Sequence, residues 1–553
     1  MTSQLGPASA STSTNPRPAA PAKAAAATAG AAVASVPAAT LERRAAGRLL
    51  IAVEHLPATP PSSAPAGDAA LLATLGAWLR DRRGLWIGCP LDPPGPAPRP
   101  GVVPGAAAAG LAGGLAGAIQ EGGAALRRVG LSAPERESCV EGFVQRALWP
   151  LFHDLAPLAR FEPADWQAFR AVNRKFARAV AQVVARGGGN DLVWAHDPLL
   201  MGLAAELRRL RAPVKAGYFM RLPFPAPDLF LRLPWRERLL AGLLAFDRIG
   251  FQTCRDLANF LDCVRLLFRE VAAERPDDLG ASLAGRAGGR TCALAAAVCP
   301  EGIDAAGIAA AAASPEVERR LAALRAAAGG RGAELAGERG DRGNHGYQTV
   351  LAHATLTPEQ GVPEALRAFV TAMQLRPALR ESVSLLLVVE PGRAGGTATA
   401  SARRREIERL VGEVNGRLGR AGWVPVQYRF QSLDLAERLG LYRAADVALA
   451  APLRAGMAVE AKEYCAADVA ERGALVLSEF AGAAARLGGG ALLVNPHDAG
   501  ATARTLLSAL RLGGEERRRR MRLLREEVRA RDLGWWVREQ LTEMRAAPAR
   551  MEG

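Results

Sequence analysis

The residues with the means to do chemistry stand where apolar runs end. LVWAHD closes on Asp197, VKAGYFM is followed by Arg221, and AKEY carries Lys462 and Glu463. A carboxylate at a strand end can accept hydrogen bonds from ligand hydroxyls or cap the helix that follows. Glu463 can hold a ligand or simply face solvent on its helix. Trp149, directly ahead of Pro150, is either the wall of a site or part of a core. The seven cysteines, at 89, 139, 254, 263, 292, 299 and 465, form no CxxC pair. That spacing indicates neither a zinc site nor a redox motif, and no metal is expected. A dispersed, odd set of thiols suits a reducing cytoplasm.

The elements that would hold these residues alternate between apolar strands and amphipathic helices. LVWAHD and VKAGYFM flank an amphipathic helix, and a Pro-rich turn then leads into another. This is the pattern of a parallel α/β sheet with a site at its strand ends. Earlier strands are expected at 48–53 and 85–88, with a helix over 68–83. A long helix carries Trp166, Phe169, Val172, Phe176 and Val180 near helical spacing. Residues 93–130, rich in Pro, Gly and Ala, read as a loop with room for a poor Ala-rich helix. Residues 270–290 read as a surface excursion before a strand at 292–298, and 329–346 as a charged, Gly-rich insertion. The second half repeats the alternation. Strands are expected at 349–354, 383–389, 424–428, 447–451, 474–478 and 491–494, with helices at 362–374, 402–420, 434–443, 458–470 and 501–511.

A chain of 553 residues exceeds what one core usually supports. The expected plan is a low-complexity tail over 1–43, a first doubly wound domain over 44–300, a second over 301–513, and terminal helices over 514–553 that pack back on the first domain. The tail is Ala, Ser, Thr and Pro with few large apolar side chains, too little to offset ordering entropy. Net charge is +15, nearly all from Arg; the only lysines are Lys23, Lys175, Lys215 and Lys462. The arginines are scattered among glutamates on helix faces, as in 515–520. No basic stripe is interleaved with aromatics, so no nucleic-acid partner is indicated. No apolar run reaches the ~18 residues needed to span a bilayer.

Several strings appear in an order that resembles the trehalose-6-phosphate synthases, which are retaining glycosyltransferases. They are LWPLFHDL (148–155), VNRKFA (172–177), WAHDPLLM (194–201), the run 222–253, PEGID (300–304), GVPEALRAF (361–369), YRAADVALAAPLRAGM (442–457), AKEY (461–464) and the run 477–498. The likeness covers roughly 48–545. It implies the GT-B arrangement, two Rossmann-like doubly wound domains facing each other across a cleft. It implies glucose transfer from UDP-glucose to glucose-6-phosphate with retention, with no metal or other cofactor. The partners implied are therefore a nucleotide-sugar and a sugar phosphate. By resemblance, Asp197 and Arg221 are the candidate catalytic residues. Trp149 and Arg393 fall on the acceptor side, and Gly456, Met457, Lys462 and Glu463 on the donor side.

At other positions the chain departs from the family pattern. The family's R-L-D-Y-x-K-G carries an Arg and a Lys that reach the donor phosphates. Aligned on Gly361, these are Thr355 and Gln360, and the Asp between them is Thr357. The acidic residue of PLRDGM is Ala455, and the His of FLHIPFP is Arg221. The second His of HDYH is Leu199, and two close-approach glycines are Ala69 and Ala70. The first strand's Asn-Arg is Glu54-His55, and a Tyr ahead of LWP is Val140. Loss of two cations facing a departing diphosphate would cost on the order of 10² to 10⁴ in rate. The residues leave three readings open. One is a working synthase. Another is a degenerate paralogue that regulates or pairs with an active synthase; a homo-oligomer is also open. The third is a transferase with an altered donor or acceptor. A nucleic-acid binder would rest on net charge alone.

Overall fold

The computed structural model describes residues 47–56, 75–79, 84–90, 120–121, 124–187, 190–274, 279–336, 347–392 and 398–547. The tail expected over 1–43 lies outside these residues, as do Ala69, Ala70, Arg393 and much of 93–130 and 329–346. Residues from Ala46 onward form one compact unit.

The first sheet begins with β1 (Leu49–His55) and β2 (Leu85–Cys89), both almost wholly buried. Continuous apolar runs of this kind are what strands covered on both faces require. It continues through β3 (Gln120–Glu121), β4 (Ala124–Arg128), β5 (Leu192–Ala195), β6 (Lys215–Met220), β7 (Arg248–Phe251), β8 (Val271–Glu274), β9 (Gly280–Ala287) and β10 (Arg290–Val298). Its order is β3-β4-β2-β1-β5-β6-β7-β10-β9-β8. The strands from β4 to β10 pair in parallel, and β3, β9 and β8 add antiparallel edges. Helix α1 (Pro163–Val184) buries Trp166, Phe169, Val172, Phe176 and Val180, the stripe expected from spacing.

Several segments differ from the sequence expectation: residues 329–336 of the expected insertion end a helix over Pro315–Ala336, and Arg248–Phe251 is strand β7. The end of the expected loop, at 124–128, is strand β4, and β8 and β9 form an antiparallel extension rather than an excursion. The strands of both are rich in Ala. β9 alternates in burial but presents mostly small side chains, so its period of two carries little apolar contrast.

The second sheet contains β11 (Gln348–Thr355), β12 (Val383–Glu390), β13 (Val426–Phe430), β14 (Val447–Ala450), β15 (Ala474–Ser478) and β16 (Leu492–Val494), all parallel. Its order, β13-β12-β11-β14-β15-β16, is the 3-2-1-4-5-6 order of a doubly wound dinucleotide-type sheet. Strand order therefore reverses between β11 and β14. Helices α2 (Val362–Leu375), α3 (Leu435–Ala444) and α4 (Val459–Ala467) flank that point.

The last two helices return along the chain. α5 (Gly514–Ala530) packs on the second lobe through Met521, Leu524 and Val528. α6 (Leu533–Ala546) lies on the first sheet, where Trp536 sits 5.1 Å from Trp194 and 4.8 Å from Phe219. Among the described residues, no helix is long and apolar enough to cross a membrane.

Candidate active site

A narrow crevice of about 10 Å³ lies where the second sheet reverses. Such switch points are where open α/β sheets bind ligands. The crevice is lined by the ends of β11 and β14, by Gln360 and the first turn of α2, and by Glu460 of α4. Gly361 makes the turn into α2 at φ 64°, and an added Cβ would lie 2.6 Å from the Ala451 carbonyl. Only glycine meets both demands without strain.

His353 projects from β11 into a polar chain beside the crevice. Its Nε2 is 2.8 Å from Glu390 Oε1 and its Nδ1 is 3.0 Å from the Tyr442 hydroxyl. That hydroxyl donates to Glu463 Oε2 at 3.3 Å, and Arg438 Nε lies 3.8 Å from the same oxygen. Burial works to raise the Glu390 carboxyl. The His353 hydrogen bond and the charges of His353 and Arg438 outweigh it and hold the group below the usual range. Burial raises Glu460, and the Glu463 charge adds to the effect.

The donor-side candidates sit on the turn between β14 and α4. Gly456 packs so closely on the first lobe that a Cβ there would lie 2.0 Å from the Arg221 carbonyl. Met457 is buried, and its carbonyl accepts from Ala483 N at 2.8 Å. Ala455 bridges to Ala481. Lys462 is 6% exposed and donates to the Glu301 carbonyl. Burial lowers its pKa to about 8, against the pull of the Glu301 charge. Thr355 closes β11 opposite Glu390, and Gln360 faces the crevice. Neither supplies a charge.

In the first lobe, Asp197 stands at the N-cap of a short turn but does not cap it. Its Oδ2 instead reaches across the sheet and accepts from Glu54 N at 2.6 Å. The Tyr218 hydroxyl donates to its backbone carbonyl at 3.2 Å. His55 follows on β1, and Arg136 Nη1 approaches its ring to 3.2 Å. Leu199 is fully buried and serves packing. Arg221 lies at the end of β6 and pairs with Glu301 through two contacts of 3.1 and 3.3 Å. Gln252 completes the clamp: its amide donates to Glu301 Oε2 at 3.2 Å and its carbonyl oxygen accepts from Glu301 N at 2.8 Å.

A second contact joins the lobes. The Trp149 indole N–H donates to Glu359 Oε1 at 3.0 Å, and the indole stacks on His153 at 4.6 Å. Arg454 lies between Asp154 at 3.7 Å and Asp256 at 3.6 Å. Burial pushes the His153 pKa below its ordinary value, opposed by the Glu359 charge.

The glycosyltransferase family 20 model matches residues 118–546, well over half of the chain. The chain belongs to glycosyltransferase family 20. It is 33% identical over 498 residues to the trehalose-6-phosphate synthase of Mycolicibacterium paratuberculosis, covering 89% of this chain and 93% of that one. It is 37% identical over 417 residues to the bifunctional trehalose-6-phosphate synthase/phosphatase of Thermoproteus tenax, covering 75% of this chain and 52% of that protein. The chain thus spans about half the length of the bifunctional relative. Among solved structures, the Escherichia coli protein bound with UDP-2-fluoro glucose superposes with a TM-score of 0.75 at 28% identity, covering 91% of this chain and 100% of that one. The synthase of Burkholderia xenovorans in complex with glucose-6-phosphate gives 0.74 at 27% identity, covering 90% and 100%.

The family 20 chain is therefore a trehalose-6-phosphate synthase-like glycosyltransferase with the GT-B architecture. Among its described residues, the structure brings Lys462, Gly456, Arg221 and Glu301 together at one junction of the lobes, and Trp149 and Glu359 at another. Asp197 belongs to the β1–β5 strand ends and Glu463 to the His353–Tyr442 chain. Sequence reasoning missed Glu301, Gln252, Glu359 and Arg136. Glu301 had a signal, since PEGID differs from the family's PIGID at that residue alone. Glu359 had none, for it occupies the unspecified position of the family string.

Proposed function

We propose that this family 20 chain transfers glucose from UDP-glucose to glucose-6-phosphate with retention of anomeric configuration. The first lobe, up to about residue 300, would take the acceptor, and the second lobe up to about 513 the donor. The observation that carries this reading is the contact from Trp149 to Glu359. It ties a residue of the proposed acceptor side to the loop whose next residue, Gln360, lines the switch-point crevice. The assignment to a cytoplasmic enzyme belongs to the same reading.

The chain's own residues would then act by position and charge. Asp197 and Trp149 would bind the acceptor with Arg393, and Gly456 and Met457 would border the donor with Glu463. Lys462, held by the Glu301 carbonyl, would add only a weakened positive potential, and the N-terminus of α4 also favours an anion. The described arginines near the lobe junction, Arg221, Arg438 and Arg454, all face carboxylates. Diphosphate departure would therefore be stabilised less than where an Arg and a Lys stand at 355 and 360. Slow transfer is expected, by on the order of 10² to 10⁴.

The test is direct. The purified chain is mixed with UDP-glucose and glucose-6-phosphate, UDP release is followed, and UDP affinity is measured by calorimetry. Release of UDP only when both substrates are present supports the reading. UDP binding without any release would instead favour a non-catalytic relative, and loss of both would remove the donor site.

A further inference from the structure

We propose that Glu359 is an acceptor-binding residue, whose second carboxylate oxygen takes a hydrogen bond from a hydroxyl of the sugar phosphate. The proposal rests on the acceptor-side reading of Trp149 given above.

Glu359 is 2% exposed and is held at both its backbone and its side chain. Its backbone carbonyl accepts from Leu453 N at 2.7 Å, and its Oε1 accepts from the Trp149 indole. Its other oxygen, Oε2, is buried and has no hydrogen-bond partner among the described residues. Leaving a buried charged oxygen unsatisfied is costly, and native structures rarely do so without a reason. An ionised carboxylate only accepts, so the missing partner must be a donor.

Two donors lie nearby: His153, whose Nδ1 is engaged elsewhere, and Arg454, whose Nε is itself buried with no hydrogen-bond partner among the described residues. The ring Nδ1 of His153 lies 2.8 Å from the Trp149 carbonyl. The Arg454 guanidinium is drawn to Asp154 and Asp256, on the first-lobe side of the junction. What remains is a half-buried indole with one face on His153, beside a carboxylate with one idle oxygen. An aromatic surface for the C–H face of a sugar, paired with an acceptor for one hydroxyl, is a carbohydrate-binding arrangement on chemical grounds. Because Glu359 lies on the loop ending at Gln360, a sugar held there would be registered against the crevice of the second lobe. A trapped water could fill the same place, and the two occupants are separable by experiment.

Glucose-6-phosphate binding to the full chain is measured by calorimetry for the wild type, Glu359→Ala and Glu359→Met. The methionine variant keeps the chain length and guards against collapse of the alanine variant. Both should bind glucose-6-phosphate about 10- to 100-fold more weakly, the range for a hydrogen bond to a charged group. UDP affinity should stay within about two-fold, because its crevice is a separate site. Monodeoxy glucose-6-phosphates give the second readout. The wild type should discriminate against one of them, and the Glu359 variants should not. Wild-type affinity for glucose-6-phosphate in the variants would overturn the proposal. So would a parallel loss of UDP affinity, which marks a purely structural latch, uniform tolerance of every deoxy analogue by the wild type, which marks a water, or no binding of glucose-6-phosphate by the wild type. Since the readout is binding, a chain that binds glucose-6-phosphate but transfers nothing would end the catalytic reading and leave this one standing.

Discussion

At the scale of single residues, the proposed chemistry turns on how charge is distributed around the crevice. The family pattern that the sequence resembles carries two cations here, and this chain has Thr355 at the end of β11 and Gln360 on the loop that follows. The described cations nearby do not make up the difference. Arg221 is held by Glu301, and Lys462 is spent on a carbonyl and pushed towards neutrality by burial. The double substitution Thr355→Arg with Gln360→Lys should therefore raise the rate of UDP release at least 10-fold, with either single change giving less. Steady-state kinetics with both substrates checks this. An unchanged rate in the double variant would show that another group neutralises the diphosphate.

At the scale of elements, two local arrangements carry measurable energy. Helix α4 begins from Ala458 at φ 70° and ψ 66°, a left-handed conformation that an L side chain adopts at a cost of roughly 1–2 kcal/mol. Ala458→Gly should raise stability by about 1 kcal/mol, less whatever glycine adds to the unfolded chain's entropy. Gly361→Ala should do the opposite, because it combines positive φ with a clash at 2.6 Å. Denaturant titration of both variants reads the sign. The second arrangement is the Arg221–Glu301 pair. Arg221→His alone strands a carboxylate that is 5% exposed and should cost about 3–5 kcal/mol. The double variant Arg221→His with Glu301→Ile should lose much less, because neither charge is then left unpaired. Additive losses in a double-mutant cycle would show that the two residues act independently.

At the scale of the molecule, the lobes meet through buried polar groups, and that junction should respond to pH. Burial depresses His153 below the ordinary histidine value, so the folded chain refuses a proton that the unfolded chain takes up. Its contribution to stability is present above the unfolded pKa of about 6.5 and is lost as pH falls towards the folded value. Each tenfold difference in proton affinity is worth about 1.4 kcal/mol. The wild-type melting temperature should therefore fall between pH 7 and 5.5 more steeply than that of His153→Phe, which preserves the stack on Trp149. Parallel melting curves for the two proteins would remove His153 from the junction's response.

The sequence by itself determined the elements and the lineage. Long apolar runs and helical stripes marked β1, β5, β6, α1 and every strand of the second sheet, because burial on both faces leaves no other composition for a parallel strand. The ordered strings marked the family. Strands β4, β8 and β9 escaped notice because Ala and Gly give little apolar contrast. Only the tertiary structure decided which candidates face one another. Asp197 lies at a helix start in sequence, yet its carboxylate bonds to Glu54 on another strand. Arg221 and Glu301 lie 80 positions apart and form one pair. Trp149 meets Glu359 across 210 positions. Hydrogen bonds and ion pairs are fixed by distances of about 3 Å, and distances between remote residues come from how the two sheets pack, which no local pattern records.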